Sequence, residues 1–178
     1  MPSVLSHPAV ALGVSRWFVL PRAAIVAGAV ISILPDADAI GFWLGVPYGA
    51  PLGHRGFTHS LVFAAVLAAA GLAGLRWSSG APLRGAFASY LFLCAASHGV
   101  LDGMTDGGLG VAYFAPFSDT RFFLPWRPLP VSPISVSGFI SGRGLEILGG
   151  EFVWIWLPCL GLALAAAVRR RAPANPVA

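Results

Sequence analysis

The chain has 178 residues, of which 57% are hydrophobic and only 10% are charged, and its mean hydropathy is +0.78. A soluble domain usually has about 25% charged residues, so this composition excludes a water-soluble globule, a disordered chain and a nucleic-acid-binding module. The eleven basic residues are all arginines, set against seven acids, and the net charge of +4 indicates membrane orientation rather than nucleic-acid binding. We expect one membrane-embedded domain at residues 1–171, followed by a disordered tail at 172–178.

Five apolar stretches are separated by polar segments, and we expect each to form a helix: 4–20, 23–35, 60–75, 86–101 and 152–168. Most are shorter than the roughly 20 residues that cross a bilayer core, which predicts several short or re-entrant helices. A long loop at 102–151, rich in proline and aromatic residues, is expected to form a lid or an interfacial anchor on the membrane surface. The predicted fold is an all-α polytopic membrane bundle of about four to five apolar helices, with this irregular loop before the last one.

Two helical hairpins, bent at Pro21 and near Pro82, followed by a single last helix, would separate the charges of the chain. Seven arginines would then lie at one end of the bundle, and the other end would have four arginines, all seven acids and all four histidines. The positive-inside rule makes the arginine-rich end cytoplasmic. We therefore predict a multi-pass protein whose polar cluster faces the non-cytoplasmic side.

This polar cluster has the chemistry of a metal site. His98 and Asp102 are four residues apart, so a helix places them on one face. His54 and His59 bracket a turn that contains Gly56, so one could bind a metal while the other orients it or transfers a proton. Imidazole and carboxylate groups together suit zinc, manganese or iron better than magnesium or calcium. The candidate ligands, enough for one ion or two, are His7, Asp36, Asp38, His54, His59, His98 and Asp102.

Several of these residues also have a purely structural interpretation. The two aspartates after Pro35 could form a turn or a helix cap. His7 could be a surface or interface residue, and His98 could form a hydrogen bond between helices. Arg55 could hold a phosphate group or only stabilise its loop.

Two glutamates and two cysteines are the remaining residues whose chemistry could give them a functional role. Glu146 and Glu151 precede the last apolar stretch, where negative charge at a helix N-terminus would be favourable. Cys94 and Cys159 lie far apart within apolar stretches and are interpreted as packing residues.

Three segments carry a resemblance to a known family: Leu-Pro-Asp-Ala-Asp at 34–38, His-Arg-Gly-Phe-Thr-His-Ser at 54–60 and Ser-His-Gly-Val-Leu-Asp at 97–102. Over most of its length the sequence resembles the YdjM/YbcI-like, LexA-regulated metal-dependent hydrolases of the bacterial inner membrane. The resemblance implies a hydrolase at that membrane, and a more distant likeness to zinc-dependent phospholipase C. One departure is Ala39, where many relatives have histidine. The matching motif positions are His7, Asp36, His54, His59, His98 and Asp102.

Two functions of different classes fit these residues. The first is a metal-dependent hydrolase that uses zinc or manganese, most simply a phosphoesterase acting on a phospholipid or lipid-linked phosphate taken from the bilayer. Its catalytic candidates are Arg55, His59 and Asp102. The alternative is a non-enzymatic membrane protein that binds or transports a metal ion or a proton, and a third idea is a scaffold whose polar cluster holds helices together. Hydrolysis is favoured because the ligands sit at helix ends rather than along the membrane depth.

Overall fold

The computed structural model describes residues 1–80, 85–133, 136–140 and 143–171, and their regular structure is helical. The expected tail at 172–178 and the expected bend near Pro82 lie outside these residues. Short 3-10 turns cover Leu34–Ala39 and Phe57–His59, and a π turn at Phe152–Trp156 joins the last two helices. The helices are α1 (His7–Ser15), α2 (Arg22–Ile31), α3 (Ile40–Trp43), α4 (Leu61–Ser79), α5 (Gly85–Gly103), α6 (Val136–Ile140), α7 (Arg143–Glu151) and α8 (Leu157–Arg171).

Three helical segments are long and apolar enough to cross a membrane: Arg22–Trp43, Leu61–Ser78 and Arg143–Arg171. These segments confirm the predicted all-α membrane bundle. Helices α4 and α5 each have 19 residues, which at about 1.5 Å per residue nearly equals the roughly 30 Å of a bilayer core. Both helices extend beyond the apolar stretches 60–75 and 86–101.

The last membrane segment begins earlier than its apolar stretch indicates. It is continuous from Arg143 to Arg171, so the expectation of an irregular loop up to 151 was wrong for its final part. Glu146 lies in the first turn of α7, as the capping interpretation requires, whereas Glu151 lies inside the continuous helical segment. The irregular region at 104–133 contains two isolated β-bridges, which join Thr105 to Leu129 and Val111 to Phe122.

The packing of the helices confirms the expected hairpins. Helix α1 packs against α2, α5 and α8, while α4 packs against α5 and α2. Small and aliphatic side chains form the core between the two ends, and the hydroxyl of Tyr90 donates a hydrogen bond to the carbonyl of Ala11 at 3.1 Å. Cys94 and Cys159 are buried free thiols, as expected for packing residues.

Helices α1 and α8 lie in close contact at Gly13. A Cβ atom at Gly13 would lie 2.8 Å from the carbonyl oxygen of Cys159. Small residues allow membrane helices to pack at such short distances, so Gly13 sets the separation of these two helices.

Replacing Gly13 with alanine is therefore expected to destabilise the protein by about 1–3 kcal/mol, because the added methyl group forces the helices apart. The control is Gly161→Ala in α8, where an added Cβ meets no atom within 4 Å. Thermal unfolding of the detergent-purified variants measures the difference. Equal melting temperatures for the two variants would contradict the close packing at Gly13.

The predicted orientation can be tested with single cysteines, because both native thiols are buried. Asp119 is exposed in the irregular region at 104–133, and Arg171 is exposed at the end of α8. In intact cells, a membrane-impermeant maleimide is expected to label Asp119→Cys but to label Arg171→Cys only after permeabilisation. Labelling of both from the same side would contradict the hairpin arrangement, and the reverse pattern would contradict the positive-inside assignment.

Candidate metal centre

The ends of four helices bring the predicted ligands together. His98 and Asp102 lie one turn apart near the end of α5, on the same face. The 3-10 turn after α2 contains Asp36 and Asp38. The 3-10 turn before α4 ends at His59. The next residue, Ser60, caps α4 by accepting a hydrogen bond from the Phe63 amide. The residues placed at this end of the bundle are His7, Asp36, Asp38, His54, His59, His98 and Asp102.

Four ligand atoms, one from each of four side chains, lie close to the Nε2 atom of His59 or to one another. Oδ1 of Asp36 lies 3.2 Å from Nε2 of His98 and 3.6 Å from Nε2 of His59. Nε2 of His59 in turn lies 3.1 Å from Nε2 of His98 and 3.4 Å from Oδ2 of Asp102. Ligands about 2.0–2.1 Å from a tetrahedral zinc ion are about 3.4 Å from one another. The spacing of these atoms therefore fits a single ion between them.

Hydrogen bonds behind the histidines aim their Nε2 atoms at this point. Nδ1 of His98 lies 2.7 Å from the Ser32 carbonyl oxygen, which only accepts, so Nδ1 carries the proton and Nε2 keeps its lone pair. Nδ1 of His59 lies 3.2 Å from Oδ2 of Asp38. The two histidines are thus held in the tautomer that a metal ligand needs.

Asp38 has a different role from the other predicted ligands. Its Oδ1 lies 2.7 Å from Nδ1 of His54, and its Oδ2 accepts a hydrogen bond from the Thr58 hydroxyl at 2.5 Å. It belongs to neither of the two groups of converging ligand atoms, Asp36–His54–His59–Asp102 and His7–His98–Asp102. Asp38 therefore orients His54 and His59 from behind.

His7 is completely buried, so its interpretation as a surface residue was wrong. Its ring stacks on that of His98, with the ring centroids 3.9 Å apart. Neither of its nitrogens has a hydrogen-bond partner among the described residues, and its ligand atom lies within 4.8 Å of those of His98 and Asp102. His7 is therefore a candidate ligand in a second group, which consists of His7, His98 and Asp102.

The electrostatics of the cluster are dominated by buried carboxylates. None of the four carboxylate oxygens of Asp36 and Asp102 accepts a hydrogen bond from the part of the chain described. Burial opposes a charge on His59, but the carboxylates of Asp102, Asp36 and Asp38 around it raise its pKa well above the ordinary range. The cluster thus has an excess of negative charge that draws positive charge towards it.

Arg55 is completely buried beside this cluster. Its Nη1 donates hydrogen bonds to the carbonyls of Gly107 and Leu109, both at 3.0 Å, and its Nη2 donates one to the Thr105 hydroxyl at 2.9 Å. Its Nε lies 3.0 Å from Oδ2 of Asp102. These contacts favour the loop-stabilising interpretation of Arg55, and its catalytic role stays a prediction.

Sequence reasoning missed two residues that support the centre. Arg121 donates hydrogen bonds to the carbonyl of His54 at 2.9 Å and to that of Ala50 at 3.1 Å, and nothing in its surrounding sequence indicates this role. Glu151 is completely buried, and its Oε2 accepts hydrogen bonds from the hydroxyls of Ser3 and Ser6, both at 2.5 Å. The signal for Glu151 was its carboxylate beside an apolar segment, where an ionisable group needs a partner.

Comparison with known proteins places the chain in a family. The family model described as YdjM inner membrane protein matches residues 3–174. The chain belongs to the YdjM family. This YdjM-family protein is 41% identical to inner membrane protein YbcI of Escherichia coli (strain K12) over 164 residues, which cover 89% of its own length and 92% of YbcI. No solved structure matches it.

These findings confirm the resemblance that the three motifs carry. The family and YbcI are both named inner membrane proteins, and three helical segments of the chain are able to span a membrane. This YdjM-family protein is therefore an inner membrane protein.

Replacing Arg55 with methionine is expected to destabilise the protein by about 3–5 kcal/mol, because it leaves the buried Asp102 carboxylate without its cationic partner. The control is Arg127→Met, an exposed arginine in the same irregular region, for which the change should stay within about 0.5 kcal/mol. Chemical or thermal unfolding in detergent measures both. An effect of Arg55→Met no larger than that of Arg127→Met would show that the buried ion pair does not support the fold.

Proposed function

We propose that this YdjM-family protein is a metal-dependent hydrolase, and specifically a phosphoesterase acting on a phospholipid or lipid-linked phosphate. The observation that carries the proposal is the convergence of Asp36 Oδ1, His59 Nε2, His98 Nε2 and Asp102 Oδ2, with neighbouring atoms 3.1 to 3.6 Å apart. Two imidazoles and two carboxylates form a donor set that suits zinc or manganese.

The buried carboxylates support a divalent ion independently of the ligand spacing. A buried charge without hydrogen bonds costs several kcal/mol, and both oxygens of Asp36 and of Asp102 are in that state with respect to the described residues. With His59 acting as a neutral ligand, the guanidinium of Arg55 offsets one of these two negative charges, and a divalent cation between the carboxylates would offset the other.

A second ion is part of the proposal because the ligand groups overlap. His7, His98 and Asp102 form a group whose ligand atoms lie within 4.8 Å of one another. In two-metal hydrolases a shared carboxylate commonly holds ions about 3.5–4 Å apart. Neither oxygen of Asp102 accepts a hydrogen bond from the described residues, and its Oδ2 lies 3.4 Å from Nε2 of His59, so Asp102 would be available to hold an ion in either group.

In the proposed reaction, the bound ion and the protein side chains have different roles. A bound divalent ion lowers the pKa of water and polarises a phosphoryl oxygen. Asp38 holds His59 in its ligating tautomer, and Arg55 fixes the Asp102 carboxylate through its Nε. His54 lies beside His59, with ring centroids 5.2 Å apart, and Asp38 engages its Nδ1, so its Nε2 is the nitrogen that can bind an ion or carry a proton.

The position of the centre supports a lipid substrate. The ligands sit where the 19-residue helices α4 and α5 meet their connecting segments, at the expected level of one set of lipid headgroups. Large apolar side chains are exposed in the segments that follow the ligands, among them Trp43 at 88% and Phe117 at 86%. Such side chains lie favourably at a membrane interface, where a lipid phosphate would reach the centre sideways.

Transport is less well supported by the same structure. The core between the two ends consists of small and aliphatic side chains, and the Tyr90 hydroxyl within it is already bonded to the Ala11 carbonyl. A transport pathway would need polar groups at several depths in the membrane. The ligand groups of the described residues all lie at one end.

Elemental analysis of the detergent-purified protein tests the metal. We expect near-stoichiometric zinc, manganese or iron in the wild type, its loss in the His98→Ala, Asp102→Ala double variant and in Asp36→Asn, and its retention in Asp119→Asn, which changes an exposed aspartate. Circular dichroism confirms that each variant is folded. Absence of metal from the wild type after each ion has been supplied would overturn the metallohydrolase proposal.

Phosphate release from phosphorylated lipids tests the reaction. Asp38→Asn preserves the shape of the side chain but weakens its hold on the two histidines, so we expect a loss of about 10–100-fold in metal affinity or in activity. Asp119→Asn again provides the control. Stoichiometric metal without release of phosphate from any phospholipid or lipid-linked phosphate would favour the metal-binding alternative.

A further inference from the structure

The end of the bundle opposite the metal centre has a concentration of arginines without carboxylate partners. Every one of the seven acids of the chain lies in the described residues, and none is within 4 Å of a described arginine at this end, a set that does not include Arg84. Among those residues, the arginine ion pair is the one between Arg55 and Asp102 at the other end. Within the described residues, the chain therefore supplies no carboxylate as a counter-charge for these arginines.

Three of these arginines line a cavity of about 250 Å³ between the ends of α1 and α8. Three guanidinium groups and one indole contribute to its wall. The lining residues are Arg16, Trp17, Ala166, Arg169 and Arg170.

Contacts with the backbone hold the wall of this arginine cavity in place. The indole Nε1 of Trp17 donates a hydrogen bond to the Leu162 carbonyl at 3.1 Å, and Nη2 of Arg170 donates one to the Phe18 carbonyl at 2.7 Å. The guanidinium carbon of Arg169 lies 5.7 Å from the centre of a Trp17 ring. Arg16 forms no hydrogen bond or ion pair through its side chain with the residues that the structure describes.

The length of the last membrane segment places this cavity at the level of lipid headgroups. Arg143–Arg171 has 29 residues, which at about 1.5 Å per residue corresponds to the roughly 40–45 Å of a bilayer with its headgroup regions. Arg169 and Arg170 lie at the end of this segment. Basic pockets between membrane helices at this depth are suited to anionic headgroups.

We propose that the arginine cavity binds the phosphate diester headgroup of an anionic phospholipid. Guanidinium groups donate paired hydrogen bonds to phosphate oxygens, and the three arginines of the cavity supply these donors from two different helix ends. Trp17 and Ala166 provide the apolar wall along which a glycerol backbone and the start of an acyl chain can lie. The lipid would then join the end of α1 to the end of α8, whatever the reaction at the opposite end.

Native mass spectrometry of the full-length protein in detergent tests this proposal. The protein is titrated with dioleoyl phosphatidylglycerol, with dioleoyl phosphatidylcholine and with inorganic phosphate. The Arg16→Gln, Arg169→Gln double variant removes two cavity arginines that form no hydrogen bond to the backbone in the described structure. The matched control is Arg22→Gln, Arg171→Gln, which removes the same charge from the same end but changes no residue of the cavity wall.

We expect one tightly bound phosphatidylglycerol per wild-type chain and little retention of phosphatidylcholine. The cavity double variant should lose about 25-fold in phosphatidylglycerol affinity, since each arginine near an anionic headgroup contributes about fivefold, and the control variant should lose much less. An equal loss in both variants would overturn the proposal, because it would mean diffuse attraction to the whole basic end. Equal binding of the two lipids, or binding of inorganic phosphate as tightly as of phosphatidylglycerol, would also overturn it.

Discussion

The burial of the Asp102 carboxylate is the constraint around which this end of the protein is arranged. It lies near the C-terminal end of α5, where the helix dipole disfavours negative charge. Arg55, at 3.0 Å, and His59, at 3.4 Å, supply positive charge, and each comes from the segment between α3 and α4. Arg55 also bonds the carbonyls of Gly107 and Leu109, so the compensation of one carboxylate fixes the path of two loops.

The helices and most of the cluster could be predicted from the sequence because their signals are local. The spacing of His98 and Asp102 sets a shared helix face, and the apolar stretches set the hairpins. The burial of His7 could not be predicted, since it depends on contact with His98 across 90 intervening residues. The start of the last segment could not be predicted, because a carboxylate preceded by two glycines indicates the end of a loop rather than the interior of a helix. Glu151 is tolerated inside the helical segment because the hydroxyls of Ser3 and Ser6 donate hydrogen bonds to it.

The two ends of the bundle present opposite electrostatic problems, and an apolar core separates them. At one end, buried carboxylates exceed the cations that the chain provides. At the other end, the arginines that the structure describes form no ion pair with a carboxylate. Each end therefore has charge that the described residues do not balance: negative charge at the metal centre and positive charge at the arginine-rich end. Under the positive-inside rule, this separation predicts that the arginine-rich end is cytoplasmic.

The hydrogen bonds from Ser3 and Ser6 to Glu151 join the first residues of the chain to the last membrane segment. All of the ligand side chains precede residue 103, so the cluster can gather before the last membrane segment has been synthesised. The hydroxyls of Ser3 and Ser6 gain these partners only when Glu151 and Trp156 have been synthesised, with the Trp156 indole donating to the Ser6 hydroxyl at 2.7 Å. The last membrane segment therefore completes the contacts around the start of α1 after every ligand residue has been synthesised.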